Sequence, residues 1–211
     1  MEKTLSADAL ESRFATLWKG LGGADNGHAP HYSSLSHSYS SRPYHNLDHI
    51  ASCLNELDKV GHLVNDKKAI EFALYFHDAI YDSKRKDNEE KSAEWATSLA
   101  QGLGQGEKFI RSVERMILAT KHTGNPIYDW DTRYMVDIDL SILAQPKVIF
   151  DRYEKNVRKE YSWVPAADYK KGRSNVLKGF LERQSIYSTE FFALFYEARA
   201  RENLKRALRS L

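Results

Sequence analysis

The strongest local pattern in the sequence is FHDAIYD at residues 76–82, in which His77 is followed directly by Asp78. The pair stands at the end of a predicted apolar helix. An imidazole and a carboxylate in that position lie beside buried surface, where an unpaired charge is costly. A metal ion bound by both side chains would remove that cost. The alternative is a histidine at a helix end that is hydrogen-bonded to a capping carboxylate.

A second pattern, RPYHNLDHI at residues 42–50, places His45 and His49 four residues apart. On a helix this spacing brings two imidazoles to one face, as in zinc-binding helices, although the metalloprotease pattern His-Glu-x-x-His is not formed. Only one of the two needs to be a ligand. We favour His45, at the predicted start of the helix, because His49 neighbours Ile50 and is expected to be a packed, hydrogen-bonded supporting group.

A third pattern, VDIDLSILA at residues 136–144, contains Asp137 and Asp139. Side chains two residues apart on a helix diverge by about 200°, so at most one of these carboxylates can reach a shared site. Asp139 shares its face with apolar residues of the next turn and is expected to point to the core, where it needs a cation. Asp137 has partly polar neighbours and is expected to be solvated, but it stays the alternative ligand.

The elements that must position these groups are helices. Apolar residues recur with a period near 3.6 in almost every stretch and alternate nowhere, which predicts an all-α fold of about nine helices. We expect a single domain over residues 1–211. Its metal-binding core covers about 42–145, and C-terminal helices of about 146–211 pack on it.

Several boundaries follow from local signals. Ser6, Asp66 and Asn88 are predicted helix caps, and a further helix is expected to begin near Pro43. The polar stretch 25–41 is predicted to be a long loop, of the kind that often carries function. The last helices are expected at 148–161, 168–184 and 189–208.

Composition excludes several classes of protein. The chain has 211 residues, of which 42% are hydrophobic, with 31 basic and 29 acidic side chains and one cysteine. Disordered chains and disulfide scaffolds do not have this composition. No apolar run reaches the roughly 18 residues of a membrane span, and the first residues lack the apolar core of a signal peptide. A cytoplasmic protein is therefore expected, and a net charge of +2 does not predict a nucleic-acid partner.

The order of these patterns resembles a known superfamily. His45, the pair His77 and Asp78, and the distant Asp139 follow the H…HD…D pattern of the HD superfamily of metal-dependent phosphohydrolases. More narrowly, the chain resembles an uncharacterised bacterial family of predicted metal-dependent HD phosphohydrolases over roughly residues 8–208. The segments that carry this similarity are RPYHNLDHI, FHDAIYD, DNEEKSA, DIDLSIL, VRKEY and ARENL.

The resemblance implies an HD-domain helical bundle in which His45, His77, Asp78 and Asp139 bind one divalent metal ion. Mixed nitrogen and oxygen ligands suit Mn, Fe, Co, Ni or Zn. Four protein ligands leave positions for water and a phosphate oxygen. The implied enzyme is a phosphoric ester hydrolase that uses metal-activated water on a small phosphorylated metabolite or nucleotide.

The resemblance also suggests supporting residues. Asp82 matches a carboxylate that helps activate water in alarmone hydrolases, and the alternative is a simple loop cap. His122 resembles a histidine that many HD proteins place near the metal, and the alternative is a surface histidine at a helix end. Glu89, like His49, is a candidate supporting group around the ligands.

Three cations are candidates for substrate binding. Arg42 precedes the histidine pattern and could clamp a phosphate, because a guanidinium group binds two phosphate oxygens at once. Lys121, beside His122, could add to a phosphate pocket. Arg158 belongs to the VRKEY segment. For Lys121 the alternative is an exposed lysine without a function.

Other functions compete with hydrolysis. A non-catalytic regulatory module could bind a nucleotide through the same metal pocket. An oxidative enzyme with two irons would need further ligands, for which only His122 and Asp82 are available. Nucleic-acid binding through basic residues of the last helix is the weakest alternative. The substrate, the metal, the number of ions and the oligomeric state stay open.

Overall fold

The computed structural model describes residues 5–122 and 129–211. Over these ranges the chain forms eleven α-helices and one short 3₁₀ helix, and the described residues contain no β-strand. The all-α prediction is confirmed. The helices outnumber the nine predicted because two segments fold differently from their prediction. No described helix combines the length and apolar character needed to cross a membrane.

A first compact unit comprises Met1–Val136. It contains α1 (Ala7–Gly20), α2 (His28–Tyr39), α3 (Leu47–Val60), α4 (Lys67–Phe76), α5 (Asn88–Gly102) and α6 (Glu107–Ala119), and most of α7 (Trp130–Asp139). Two predicted caps are confirmed. Ser6 Oγ accepts the Ala9 N–H at 3.2 Å, and Asp66 Oδ1 accepts the Ala69 N–H at 2.9 Å. Both bonds satisfy N–H groups that a helix start leaves unpaired.

Helix α4 is the apolar centre of this unit. From Ala69 to Phe76 every residue except Glu71 is buried, so the helix is apolar on nearly all sides. It ends at Phe76, and His77 follows as the C-terminal cap, donating its N–H to the Ala73 carbonyl at 2.9 Å. The prediction that an apolar helix runs directly into the histidine–aspartate pair is therefore confirmed.

The prediction of a long loop at 25–41 is wrong, because α2 occupies most of that range. Tyr32, Leu35 and Tyr39 are buried on one face of α2, with the spacing of an amphipathic helix. The Tyr39 hydroxyl donates to the Tyr75 carbonyl at 3.0 Å. The many serines and histidines of α2 are weak helix formers, so tertiary packing decides its conformation.

The predicted start of α3 near Pro43 is also wrong. Asn46 is the cap, and its Oδ1 accepts the N–H groups of Asp48 at 3.0 Å and His49 at 3.3 Å. The helix therefore begins at Leu47. As a result His49 lies in the first turn of α3, whereas His45 precedes the helix, and the two do not share a helix face.

Asp131 ties the first turn of α7 to the start of α4. Its Oδ1 accepts the Asn65 N–H at 2.8 Å, and its Oδ2 accepts the Asp66 N–H at 2.9 Å. Asp131 is buried. Both carboxylate oxygens are thus used to satisfy backbone groups in the loop that leads into α4.

We expect Asp131→Ala to lower the free energy of unfolding by about 1–3 kcal/mol, because it removes a carboxylate that accepts two backbone N–H groups, and hydrogen bonds to charged groups are worth about 1.5–3 kcal/mol. Urea denaturation followed by circular dichroism measures this change. Asp8→Ala, which removes an exposed carboxylate from the first turn of α1, is the matched control and should cost only about 0.3–1 kcal/mol through the helix dipole. Equal effects of the two substitutions would contradict the role of Asp131.

A second compact unit comprises Asp137–Leu211. It contains a 3₁₀ helix (Leu140–Ala144), α8 (Lys147–Glu160), α9 (Ala166–Glu182), α10 (Glu190–Phe195) and α11 (Glu197–Ser210). The segment predicted as one helix at 189–208 is two helices that divide at Tyr196. The next residue, Glu197, accepts the N–H groups of Ile186 at 3.0 Å and Tyr187 at 3.2 Å. These bonds join the start of α11 to the loop before α10.

The division between the two units falls within α7, which continues through it without a break. The prediction of a single HD-like domain with a core at 42–145 and packed C-terminal helices at 146–211 stays a prediction. Asp139, the last of the candidate ligands along the chain, is the last residue of α7.

Candidate metal centre

His77 presents one nitrogen to the site. Its Nδ1 lies 2.9 Å from the Leu74 carbonyl oxygen. A carbonyl only accepts, so Nδ1 donates to it, and Nε2 is the nitrogen that faces the site and can bind an ion when it carries no proton. Nε2 lies 3.1 Å from Asp78 Oδ2 and 3.2 Å from His49 Nε2. The side chain is only 1% exposed.

His49 reaches the same point from the first turn of α3. Its Nδ1 lies 3.2 Å from the Tyr44 hydroxyl, and its Nε2 lies 3.7 Å from Asp78 Oδ2. The Cys53 sulfur, one turn further along α3, is 3.7 Å from the same Nε2. Two imidazole nitrogens and a carboxylate oxygen therefore converge in a largely buried space.

Asp139 completes a group of possible ligands. His49, His77 and Asp139 each offer one atom, and the three atoms lie within 4.8 Å of one another. Ligand atoms bound at about 2.1 Å to one ion are separated by roughly 3–4 Å. The donor set of two imidazoles and a carboxylate, with a second carboxylate at Asp78, therefore fits a divalent transition metal after small side-chain adjustments.

Asp78 stands beside both histidines with its side chain 15% exposed. Burial alone would raise the pKa of this carboxyl group. The neighbouring imidazoles of His77 and His45, together with the hydrogen bond from His77, outweigh burial and hold the pKa well below its ordinary value. Asp78 is therefore ionised at neutral pH, which is the form that binds metal.

Arg42 fixes the backbone of the histidine–aspartate pair. Its guanidinium group donates to the Asp78 carbonyl, and to the Ala79 carbonyl at 2.8 Å. The same group lies 5.0 Å from the centre of the Tyr39 ring. The structure thus uses Arg42 to hold the end of α4. The prediction that it clamps a substrate phosphate stays a prediction.

His45 lies close to His49, but it is not one of the three residues, His49, His77 and Asp139, whose ligand atoms come together. Its ring stacks on Tyr81, with centroids 3.9 Å apart and an interplanar angle of 26°. Its centroid is 6.3 Å from that of His49. The structure thus brings His49 to the candidate ligands, although the sequence interpretation favoured His45. That His45 is itself a ligand stays a prediction.

Asp137 has a different role from the one expected. It is fully buried, so its interpretation as a solvated carboxylate is wrong. Its oxygens accept the N–H groups of Ser188 at 3.0 Å and Thr189 at 2.7 Å, and the Thr189 hydroxyl at 2.7 Å. Burial raises the pKa of Asp137 despite these bonds. With Asp137 committed to this turn, Asp139 is the carboxylate that α7 offers to the histidines.

The predicted water-activating residue Asp82 is exposed. Its Oδ1 accepts the Lys84 N–H at 2.9 Å, as the loop-cap alternative predicts. Asn88, a predicted helix cap, is instead the first residue of α5. Its amide closes the loop, accepting the Asp82 N–H at 3.1 Å and donating to the Asp82 carbonyl at 3.0 Å. A catalytic role for Asp82 stays a prediction.

The predicted groups at 121–122 and in α5 lie near one another in the first unit. Lys121 donates to Glu90, and this hydrogen bond raises the pKa of Lys121. His122 follows α6 with φ of 53°, a left-handed conformation that is uncommon for a residue with a side chain. Glu89 is half-buried, and burial raises its pKa. Their predicted contacts with substrate or ligands stay predictions.

Arg158 braces the connection between α8 and α9. It donates to the Tyr161 carbonyl at 2.5 Å and to the Val164 carbonyl at 3.2 Å. Its guanidinium carbon lies 4.6 Å from the centre of the Tyr169 ring. The structure therefore shows a structural use for Arg158, and its binding of substrate stays a prediction.

Sequence reasoning missed Tyr44, the hydroxyl neighbour of His49 Nδ1. The two residues are five apart, and the Asn46 cap separates them, so helical spacing gives no signal for the contact. It also missed the use of Arg42 on the backbone of Asp78 and Ala79, 36 and 37 positions away. Such long-range contacts with main-chain atoms leave no mark in a local residue pattern.

Comparison with known proteins adds no family assignment. Neither protein-family models, nor curated proteins, nor solved structures gave a match to this chain. The candidate function therefore depends on the side chains that meet at the ends of α3, α4 and α7.

Proposed function

We propose that this chain is a metal-dependent phosphohydrolase of the HD superfamily that cleaves a phosphoester of a small phosphorylated metabolite or nucleotide. The observation that carries the proposal is the close approach of His49, His77 and the ionised Asp78 within the first unit, with atoms 3.1–3.7 Å apart; Asp139 is a further possible ligand. Buried imidazoles and carboxylates this close together are costly unless a cation or hydrogen bonds compensate them. The order of these residues in the chain, which resembles H…HD…D, supports the same reaction class.

The donor set supports Mn, Fe, Co, Ni or Zn as the bound ion. Imidazole suits these metals, whereas Ca²⁺ prefers a shell made only of oxygen. With His49, His77, Asp78 and Asp139 as ligands, an ion that takes six ligands keeps two positions for water and substrate. When bound, the ion would lower the pKa of a coordinated water and polarise a phosphoryl oxygen.

The chain's own residues would keep the ligands in place. The Leu74 carbonyl fixes the tautomer of His77, and Tyr44 orients the ring of His49. Arg42 holds the carbonyls of Asp78 and Ala79 and so prevents the pair from shifting. Groups oriented in this way need little rearrangement when charge develops in the reaction.

In this proposal Asp82 and His122 assist catalysis, while Lys121 and Arg158 assist binding of the phosphorylated substrate. Lys121 is the cation best suited to this, because a lysine paired at the surface with Glu90 can exchange that partner for a phosphate at little cost. The single cysteine, Cys53, is consistent with a cytoplasmic location, which belongs to the same proposal.

The test is a screen of nucleotides, alarmones and simple phosphoesters with added Mn²⁺, in which inorganic phosphate is measured. We expect release that requires the divalent ion and stops with a chelator. Asp139→Asn should abolish it, whereas Asp168→Asn, at an exposed site in α9, should not. Metal binding without turnover of any phosphoester would contradict hydrolysis. It would favour the alternative, a nucleotide-binding regulatory module that uses the same pocket.

A further inference from the structure

Two large apolar side chains stand exposed side by side at the end of α10. Leu194 is 71% exposed and Phe195 is 60% exposed. Phe191, one turn earlier, is half-buried, and its ring centroid lies 5.2 Å from that of Phe195. Contiguous exposed apolar surface marks an interaction site more often than scattered apolar residues do. The apolar pair, Leu194 and Phe195, is therefore a candidate contact surface of the second unit.

Helices α10 and α11 present this pair on the outer side of one helical segment. Hydrogen bonds of helical spacing continue on both sides of Tyr196. Its N–H donates to the Phe192 carbonyl at 2.8 Å, and the Ala200 N–H donates to the Tyr196 carbonyl at 3.0 Å. Residues three or four positions apart therefore lie next to one another along the segment. The exposed residues on its outer side are Glu190, Leu194, Phe195, Ala198 and Arg199.

A charged side chain stands one turn beyond the apolar pair at each end. Glu190 precedes the first residue of the pair by four positions, and Arg199 follows the second by four. Neither side chain has a hydrogen bond or an ion pair with the residues that the structure describes. By contrast, Glu197 and Arg201 on the same segment bind each other at 2.6 Å. An unpaired acid and an unpaired base thus flank the apolar pair.

We propose that this outer side is the interface of a homodimer, in which a second copy of the chain packs antiparallel on it about a twofold axis between Leu194 and Phe195. The order acid, apolar, apolar, base is complementary to itself when reversed, as a twofold interface requires. Glu190 and Arg199 are equally far from the axis along the segment. Glu190 therefore meets the partner subunit's Arg199, and Arg199 meets the partner subunit's Glu190.

The composition of this surface fits such an interface. Protein interfaces typically have an apolar centre and a polar rim, and charge pairs at the rim select the partner and the register. Here the apolar pair supplies the centre, while Glu190 and Arg199 supply the rim. The inference does not depend on the metal site, because all of these residues belong to α10 and α11.

Sedimentation velocity of the full chain over a range of concentrations tests the interface. We expect the wild-type chain to dimerise as its concentration rises. Leu194→Glu should weaken dimerisation by at least about 30-fold, because it buries an unpaired charge at the centre of the interface in both copies. The matched control is Val148→Glu in α8, since Val148 is also 71% exposed. It should leave dimerisation unchanged, and both variants should keep the wild-type circular dichroism spectrum.

Charge reversals test the partner and the register. Glu190→Arg and Arg199→Glu each place like charges opposite one another, and each should weaken dimerisation by about 10-fold. Both substitutions in one chain restore opposite charges, so the double variant should dimerise like the wild type. A double variant that does not recover would overturn the twofold pairing. A wild-type chain that stays monomeric at every concentration would overturn the homodimer and assign this surface to a different protein.

Discussion

Replacing His77 with alanine is expected to weaken Mn²⁺ binding by at least about 100-fold. Loss of a hydrogen-bond partner of a ligand already costs about 10–100-fold, and His77 is itself a candidate ligand. Its Nδ1 is bound to the Leu74 carbonyl, so only Nε2 faces His49 and Asp78. Metal content after dialysis and a calorimetric titration measure the change.

Two further substitutions sharpen this test. His49→Ala should match His77→Ala, whereas His45→Ala should retain most of the affinity if His49 is the ligand. A loss in His45→Ala alone would restore His45 to that role. His62→Ala, at an exposed position, is the control. One bound ion per chain in His77→Ala would refute the metal assignment.

Removal of the Asp137 carboxylate should destabilise the second unit strongly. We expect Asp137→Ala to lower the free energy of unfolding by about 3 kcal/mol. Hydrogen bonds to charged groups are worth about 1.5–3 kcal/mol, and a buried donor left unpaired costs about 1–3 kcal/mol. Here the N–H groups of Ser188 and Thr189 and the Thr189 hydroxyl would lose their acceptor.

Urea unfolding monitored by circular dichroism measures this effect. Asp168→Ala, in the exposed first turn of α9, is the control, because a first-turn carboxylate at the surface contributes about 0.3–1 kcal/mol through the helix dipole. Asp137→Asn gives an intermediate case, since an amide oxygen can still accept some of these bonds. A loss below about 1 kcal/mol in Asp137→Ala would show that the turn at 188–189 does not depend on this carboxylate.

The parts of the fold that the sequence predicts are those with strong local signals. Helix α4 is apolar and begins at a capping aspartate, so both its start and its end at His77 are predictable. Helix α2 cannot be predicted in this way, because its serines and histidines have weak helix propensity. Its helical form depends on packing of Tyr32, Leu35 and Tyr39, which no local pattern shows.

The candidate site likewise has one part that the sequence predicts and another that it does not. Helical geometry predicts that only one of Asp137 and Asp139 reaches a shared site, and the structure places Asp139 with the histidines. The reason that Asp137 is buried lies in Ser188 and Thr189, 51 and 52 residues later in the chain. Which of His45 and His49 lies in α3 depends on the Asn46 cap. Because of this cap, α3 begins at Leu47 and not near Pro43, so only His49 is in the helix.

Because Asp131 binds the backbone at Asn65 and Asp66, the lengths of α4 and α7 determine where the candidate ligands at their other ends lie. Asp131 joins the starts of α4 and α7, each of which is ten residues long, and His77 follows the end of one while Asp139 ends the other. Each residue of an α-helix advances the chain by about 1.5 Å and turns it by about 100°. An insertion or deletion in either helix would therefore swing one ligand away from the other. The lengths of α4 and α7 are therefore constrained by the candidate ligands as well as by packing.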